Sequence, residues 1–128
     1  MTKKGKKFDF SKAKMSLLPF EALREIANIL TFGCDKYGRH NWRDGMEWSR
    51  IQDAMLRHYE RFSLGEDRDP ETGSLHLAHL ATNALFLLTY QLLKLGTDDR
   101  WKNSYNPSDL LNIKNKKWSD LDPDKRKK

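Results

Sequence analysis

A chain of 128 residues allows one domain with or without tails. Its hydrophobic fraction of 38 %, against the roughly 45–50 % usual for globular chains, leaves a small core that further copies of the chain would help to cover, while 11 % aromatic residues exclude wholesale disorder. The net charge of +6 resides at the ends, with net +5 in residues 1–14, net +3 in residues 115–128 and net −2 in residues 15–114, so the body itself does not look like a nucleic-acid-binding surface.

The first segment, MTKKGKKFDFSKAK, is basic and lacks the apolar stretch of a secretory signal. No later apolar run approaches the roughly 18–20 residues of a membrane span. The lone cysteine, Cys34, excludes an internal disulfide, so a cytoplasmic chain with a solvated N-terminal tail over residues 1–14 is expected. Helical periodicity then takes over. Pro19 suits a first helical position, and Phe20, Leu23, Ile26, Ala27, Leu30 and Tyr37 recur at helical steps. They predict a helix over 19–37 that stops at Gly38. Residues 38–48, GRHNWRDGMEW, read as a polar loop with aromatic anchors. The pattern Ser49-x-x-Gln52 is a capping box opening a second helix, with Ile51, Ala54, Met55, Tyr59 and Phe62 as its buried stripe and Gly65 as its stop. An acidic turn, GEDRDPETG, leads to Ser74 as the cap of a third helix over 75–95, ended by Gly96. The second half of that helix, ALFLLTYQLL, is apolar nearly all round and is expected to be buried. Residues 97–114 form a polar extension with a short helix expected near Pro107 and Ser108, and residues 115–128 a basic tail. The folded unit over 15–96 is thus predicted to be all-α. Three helices of this length do not enclose one that is apolar all round, so a bundle completed by a second subunit is expected.

Residues able to do chemistry gather around the acidic turn. His76, His79 and Asn83 stand at i, i+3 and i+7, on one face of the third helix. That face is either a hydrogen-bonded helix edge or a ligand face. Just upstream, Glu66, Asp67, Asp69 and Glu71 make either a solvated turn or a nest for a cation, since clustered carboxylates repel one another. His58 shares a face with Ile51, Met55 and Phe62 and points inward, as a core residue or as a ligand. Antiparallel packing of the second and third helices brings it beside His79. Carboxylates with imidazoles suit Mg²⁺, Mn²⁺ or Zn²⁺. No zinc-finger, H-E-x-x-H, P-loop or G-x-G-x-x-G pattern occurs, so a nucleotide would be held by metal and side chains. Lys36, Arg39, His40, Asn41, Trp42 and Arg43 crowd the first loop. Asn41 and Trp42 meet a base there and Lys36 a phosphate, or else Trp42 and Trp48 clip the loop to the bundle. Arg57 and Arg61 are a solvated pair or phosphate clamps.

The stretches MSLLPFEAL, FGCDKYGRHNWRDGMEWS and DAMLRHYERFSLGEDRDPETGSLHLAHLATNALFLL, in this order and spacing, resemble the MazG-like phage proteins described as dATP/dGTP diphosphohydrolases. The resemblance spans residues 15–92 and leaves the tails outside. It implies a MazG-like all-α bundle, a homodimer or homotetramer, and hydrolysis of dGTP or dATP to the monophosphate and pyrophosphate with Mg²⁺ or Mn²⁺. It also implies a phage chain acting in the host cytoplasm, shaping the nucleotide pool for phage DNA synthesis or a 2-aminoadenine genome. The superfamily's usual E-E-x-x-E and E-x-x-D helices are not reproduced. Asp53, Arg57, His58 and Glu60 occupy the second helix, and Asn83 stands where the aspartate belongs. The acidic turn is therefore expected to supply the carboxylates. Glu66 or Asp69 would take the proton from water, and His58, Glu66, Asp67, Asp69, His79 and Asn83 would hold or orient metal. Lys36, Asn41, Trp42 and Arg57 would bind the substrate. The competing readings are a nucleic-acid-binding accessory protein acting through its basic tails and a catalytically inert helical interaction module. No membrane partner is expected.

Overall fold

The computed structural model describes residues 4–101. Three helices carry the fold: α1, Phe20–Tyr37; α2, Trp48–Ser63; and α3, His76–Leu93. Short 3-10 turns at Met15–Leu17 and Asn41–Asp44 precede α1 and α2, and no strand forms among the described residues. The all-α expectation therefore holds. The short helix expected near Pro107 and the tail over 115–128 lie outside the described residues.

Helix starts depart from the sequence pattern in an instructive way. Ser49 does not cap α2; Glu47 holds that position without a side-chain cap bond. Ser49 lies inside the first turn, where its N–H donates to Asp99 Oδ1 at 2.9 Å and its hydroxyl donates to Asp99 Oδ2. The acceptor for an orphan helix N–H thus comes from 50 residues downstream, out of reach of any local motif. Ser74 likewise does not cap α3. Leu75 precedes the helix, and the first helical N–H, that of His76, donates to the Asp67 carbonyl at 2.9 Å.

Helices α2 and α3 form an antiparallel hairpin with the most extensive packing in the molecule, and α1 lies against α3. After α3 the chain folds back onto the start of α2. The Thr97 N–H donates to the Met46 carbonyl at 3.1 Å, the Trp48 N–H to the Thr97 carbonyl at 2.9 Å, and the Trp48 indole to the Leu95 carbonyl at 3.0 Å. The crossing admits only glycine at residue 96. Its φ is +70°, and a Cβ there would lie 2.4 Å from the Met46 carbonyl oxygen.

The core is small. Ile51, Ala78 and Tyr90 are its buried apolar residues, with Thr82 and His76 buried beside them. The Tyr90 hydroxyl donates to the Trp42 carbonyl, and the Trp42 ring stacks on Phe86 at 4.5 Å between centroids. These contacts fasten the loop between α1 and α2 to α3. Tyr59 and Phe62, expected in the buried stripe of α2, are exposed, as are Phe20 and Tyr37 of α1. The apolar half of α3 is not enclosed either: Leu85, Leu88, Leu92 and Leu93 are 40–72 % exposed. Two neighbouring helices cover only the side of α3 that carries Ala78, Thr82 and Tyr90. No described helix is long and apolar enough to cross a membrane.

Candidate active site

The turn joining α2 to α3 is held by its own polar groups. The Glu66 N–H donates to the Arg61 carbonyl at 3.0 Å, and the Asp69 N–H to the Ser74 carbonyl at 2.8 Å. The Asp69 carboxylate accepts the Glu71 N–H at 3.0 Å and the Thr72 hydroxyl at 3.4 Å, the side-chain-to-backbone pattern that lets aspartate set a turn. The acidic cluster is therefore a stitched loop in which the Glu66 and Asp69 carboxylates face donors.

Above this turn the three histidines of the hairpin meet. His58 comes from the last turns of α2, and His76 and His79 from the first turn of α3. The His58 and His79 rings stack in parallel, 4.4 Å apart with 5° between their planes. His58 Nδ1 lies 2.9 Å from His76 Nδ1, and His76 Nε2 lies 2.7 Å from Glu66 Oε1. The second Glu66 oxygen is 3.6 Å from the Arg61 guanidinium. His79 Nε2 is 2.8 Å from the Thr72 hydroxyl oxygen and 3.7 Å from Asp69 Oδ2. Burial pushes the pKa of His58 below its ordinary value, and the neighbouring His79 and His76 push the same way against the opposing pull of Asp69. Burial also lowers His79, again against Asp69. Burial thus disfavours the charged form of both rings, and a neutral imidazole keeps one ring nitrogen able to accept a proton or bind a cation.

Of the residues singled out from sequence, His58, Glu66, Asp69 and His79 come together. Asp67 belongs to the same turn but joins it through its backbone carbonyl, and the residue is exposed. Asn83 lies one turn beyond His79, where its amide donates to the His79 carbonyl at 2.8 Å. It lines an adjoining groove of about 380 Å³ with Arg50, Asp53, Arg57 and Phe86. Lys36 is exposed at the end of α1, where Tyr37 chiefly, and Glu71 to a lesser degree, raise its pKa. Asn41 is exposed at the start of its 3-10 turn. Trp42 stacks on Phe86 with the Arg43 guanidinium 4.6 Å from its ring centre, the clip that was one of its two expected roles. Two residues were missed. His76, noted on the helix stripe but given no role, is 3 % exposed with both ring nitrogens bonded, and Thr72 bridges Asp69 and His79. The H-x-x-H spacing was the available signal for His76; nothing local announces Thr72.

Mg²⁺ or Mn²⁺ is the cation implied by the resemblance, and imidazole with carboxylate is suitable donor chemistry. Among the described residues, however, no three His, Cys, Asp or Glu side chains converge to hold a metal ion. Glu66 faces His76 and Arg61, and Asp69 faces its own turn. The described residues of one chain do not by themselves form a closed metal site.

A family profile described as dATP/dGTP diphosphohydrolase, N-terminal, matches residues 2–100. A curated relative, a dATP/dGTP diphosphohydrolase of Salmonella phage PMBT28, is 38 % identical over 96 residues, covering 75 % of this chain and 33 % of the relative. The chain thus spans about a third of the length of that relative. No solved structure matches. The match takes in all three helices, the stitched acidic turn and the three-histidine cluster, and the chain belongs to the dATP/dGTP diphosphohydrolase N-terminal family.

Proposed function

We propose that this chain hydrolyses purine deoxynucleoside triphosphates, dGTP and dATP, to the monophosphate and pyrophosphate. The supporting observation is the pair of parallel imidazoles of His58 and His79, their charged forms disfavoured by burial, set against Asp69 and Glu66 beside an arginine-edged groove, in a family described by that activity. A water at the cluster gives up a proton to one of its bases while its oxygen bonds to the α-phosphorus. The bond from that phosphorus to the α–β bridging oxygen breaks, and pyrophosphate leaves with the electron pair. Arg57 and Lys36 meet the phosphate charge, and Asn41 is left exposed for a base edge. The described donors of one chain do not close around a metal ion. A requirement for Mg²⁺ or Mn²⁺ is a separate part of the proposal.

Two further parts belong with it. The chain works as a homo-oligomer, a dimer or tetramer, which would cover the exposed Leu85, Leu88, Leu92 and Leu93; contiguous apolar surface of this kind marks an interface. Acting in the host cytoplasm during phage growth, it lowers dGTP and supplies dGMP, the precursor on which a 2-aminoadenine genome would draw. The deciding experiment incubates the protein with each of the four deoxynucleoside triphosphates and Mn²⁺, with parallel Mg²⁺ and EDTA arms, and resolves products by anion exchange. Purine monophosphate with pyrophosphate is expected. Diphosphate with phosphate, or no turnover, overturns the activity; turnover undiminished in EDTA overturns the cation requirement alone.

A further inference from the structure

Glu66 and His76 lie one behind the other, and together they decide which nitrogen of His58 carries the proton. A carboxylate can only accept hydrogen bonds. Glu66 Oε1 lies 2.7 Å from His76 Nε2, so that nitrogen carries a hydrogen and donates. In a neutral imidazole the second nitrogen is then an acceptor. His76 Nδ1 lies 2.9 Å from His58 Nδ1, so the hydrogen between them belongs to His58. With His76 neutral, this places the hydrogen of His58 on Nδ1 and its lone pair on Nε2. Among the described residues no buried side-chain nitrogen or oxygen lacks a hydrogen-bond partner, and His58 Nε2 has none, so this atom is open to what enters the site. Stacking on His79 at 4.4 Å fixes the plane of the ring. His76 itself is 3 % exposed and engaged at both nitrogens, which keeps it off the substrate. The Arg61 guanidinium lies 3.6 Å from the second Glu66 oxygen.

We propose that Glu66 and His76 are positioning residues forming a two-bond relay that locks His58 as the Nδ1–H tautomer, and that His58 Nε2 is the lone-pair donor that takes the proton of the attacking water. The catalytic part rests on the hydrolytic reading above; the tautomer does not. In the step, the O–H bond of water breaks toward His58 Nε2 as the oxygen bonds to phosphorus. The resulting imidazolium keeps its Nδ1–H on His76, whose Nε2–H stays on Glu66. Glu66 thus acts behind the reacting atoms, a different place from the base expected of it in sequence. Removing such a partner is expected to cost roughly 10–100-fold in activity, the scale found for partners that orient metal-binding histidines.

The test reads ring protons directly. Long-range ¹H–¹⁵N correlation spectra of the full-length, ¹⁵N-labelled protein near pH 7.5, without nucleotide, are expected to show His58 protonated at Nδ1 and His76 at Nε2. A proton on His58 Nε2 overturns the relay. Two variants then separate wiring from packing. His76→Gln keeps an amide that donates to Glu66 and accepts from His58, so it is expected to preserve the His58 tautomer and to hold kcat for dGTP within about threefold, well inside the loss expected when the partner is removed. His76→Phe keeps ring bulk but removes both bonds, so it is expected to release His58 to the Nε2–H form and to lower kcat by roughly tenfold or more. Equal losses in the two variants overturn the positioning role. Absence of turnover in the wild-type protein, with the predicted tautomer present, overturns the hydrolytic reading and leaves the relay standing.

Discussion

Asp69 and His79 offer the sharpest test of whether the turn and the helix start act as one device. Their side chains are 16 % and 13 % exposed, lie 3.7 Å apart between Oδ2 and Nε2, and share the Thr72 hydroxyl. If both serve the same reacting water, Asp69→Asn and His79→Ala should each lower kcat by roughly 10–100-fold. That is about 1.4–2.7 kcal/mol of barrier. Independent contributions would multiply to roughly 10²–10⁴ in the double variant, whereas members of one unit lose little more together than the worse single change. Asp69→Asn is mild in shape. One amide oxygen still accepts the Glu71 N–H, but the amide nitrogen cannot accept the Thr72 hydroxyl. The stability loss should therefore stay below about 1 kcal/mol, the net worth of a well-formed hydrogen bond, because the Thr72 contact is long at 3.4 Å. Repulsion among Glu66, Asp67, Asp69 and Glu71 would by itself predict a gain, and the bonded geometry of Asp69 reverses that sign. The assay is steady-state turnover of dGTP at saturating substrate, with thermal unfolding followed by circular dichroism at fixed protein concentration. Near-wild-type turnover in either single variant, or multiplying losses in the double, would refute the reasoning.

Other outcomes follow from the same contacts. The folded-state pKa values of His58 and His79 are lowered by burial, so the unfolded chain takes up protons first on acidification. Melting temperature should hold above the ordinary histidine pKa and fall as pH drops below it toward the folded values; a Tm that rises over that interval contradicts the burial argument. Tyr90→Phe keeps the buried ring and strips the Trp42 carbonyl of its donor, which should cost about 1–2 kcal/mol in urea unfolding, and no measurable loss would show that the loop clip rests on stacking alone. Leu88→Glu with Leu92→Glu, at residues 50 % and 72 % exposed, should shift the mass seen by light scattering from oligomer to monomer. An unchanged oligomer would place the interface elsewhere.

Helix existence was legible because it depends on local periodicity. Phe20–Tyr37, Trp48–Ser63 and His76–Leu93 each follow from apolar spacing, but only α1 ends on its expected glycine, Gly38; Leu64 caps α2, and Lys94 in the left-handed conformation caps α3 ahead of Gly96. Helix starts were not, because their partners are remote. The Ser49-x-x-Gln52 box is a sound local pattern, yet Asp99, which bonds both the N–H and the hydroxyl of Ser49, arrives only when the chain after α3 folds back over the Gly45–Gly96 crossing. The exposure of Tyr59 and Phe62 has a similar origin. Periodicity tells which face of α2 is apolar but not how much of it one neighbouring helix can cover.

The site divides along the same line. Two antiparallel helices joined by a short acidic turn must bring the end of α2 to the start of α3, so the meeting of His58 and His79 over that turn follows from topology, and the parallel rings at 4.4 Å bear it out. Topology does not say which of two histidines on one helix face points at the solvent and which at the partner helix. His76, at the first helical position of α3, is turned into the hairpin and buried, while His79, one turn on, meets Thr72 and Asp69 near the surface. A buried imidazole needs a partner at each nitrogen, and here those partners are His58 and Glu66. That requirement sets apart two residues drawn from the sequence as equal ligands, Glu66 and His58: the carboxylate faces the buried ring from one side, and His58 meets it from the other through Nδ1, leaving Nε2 outside the pair of bonds.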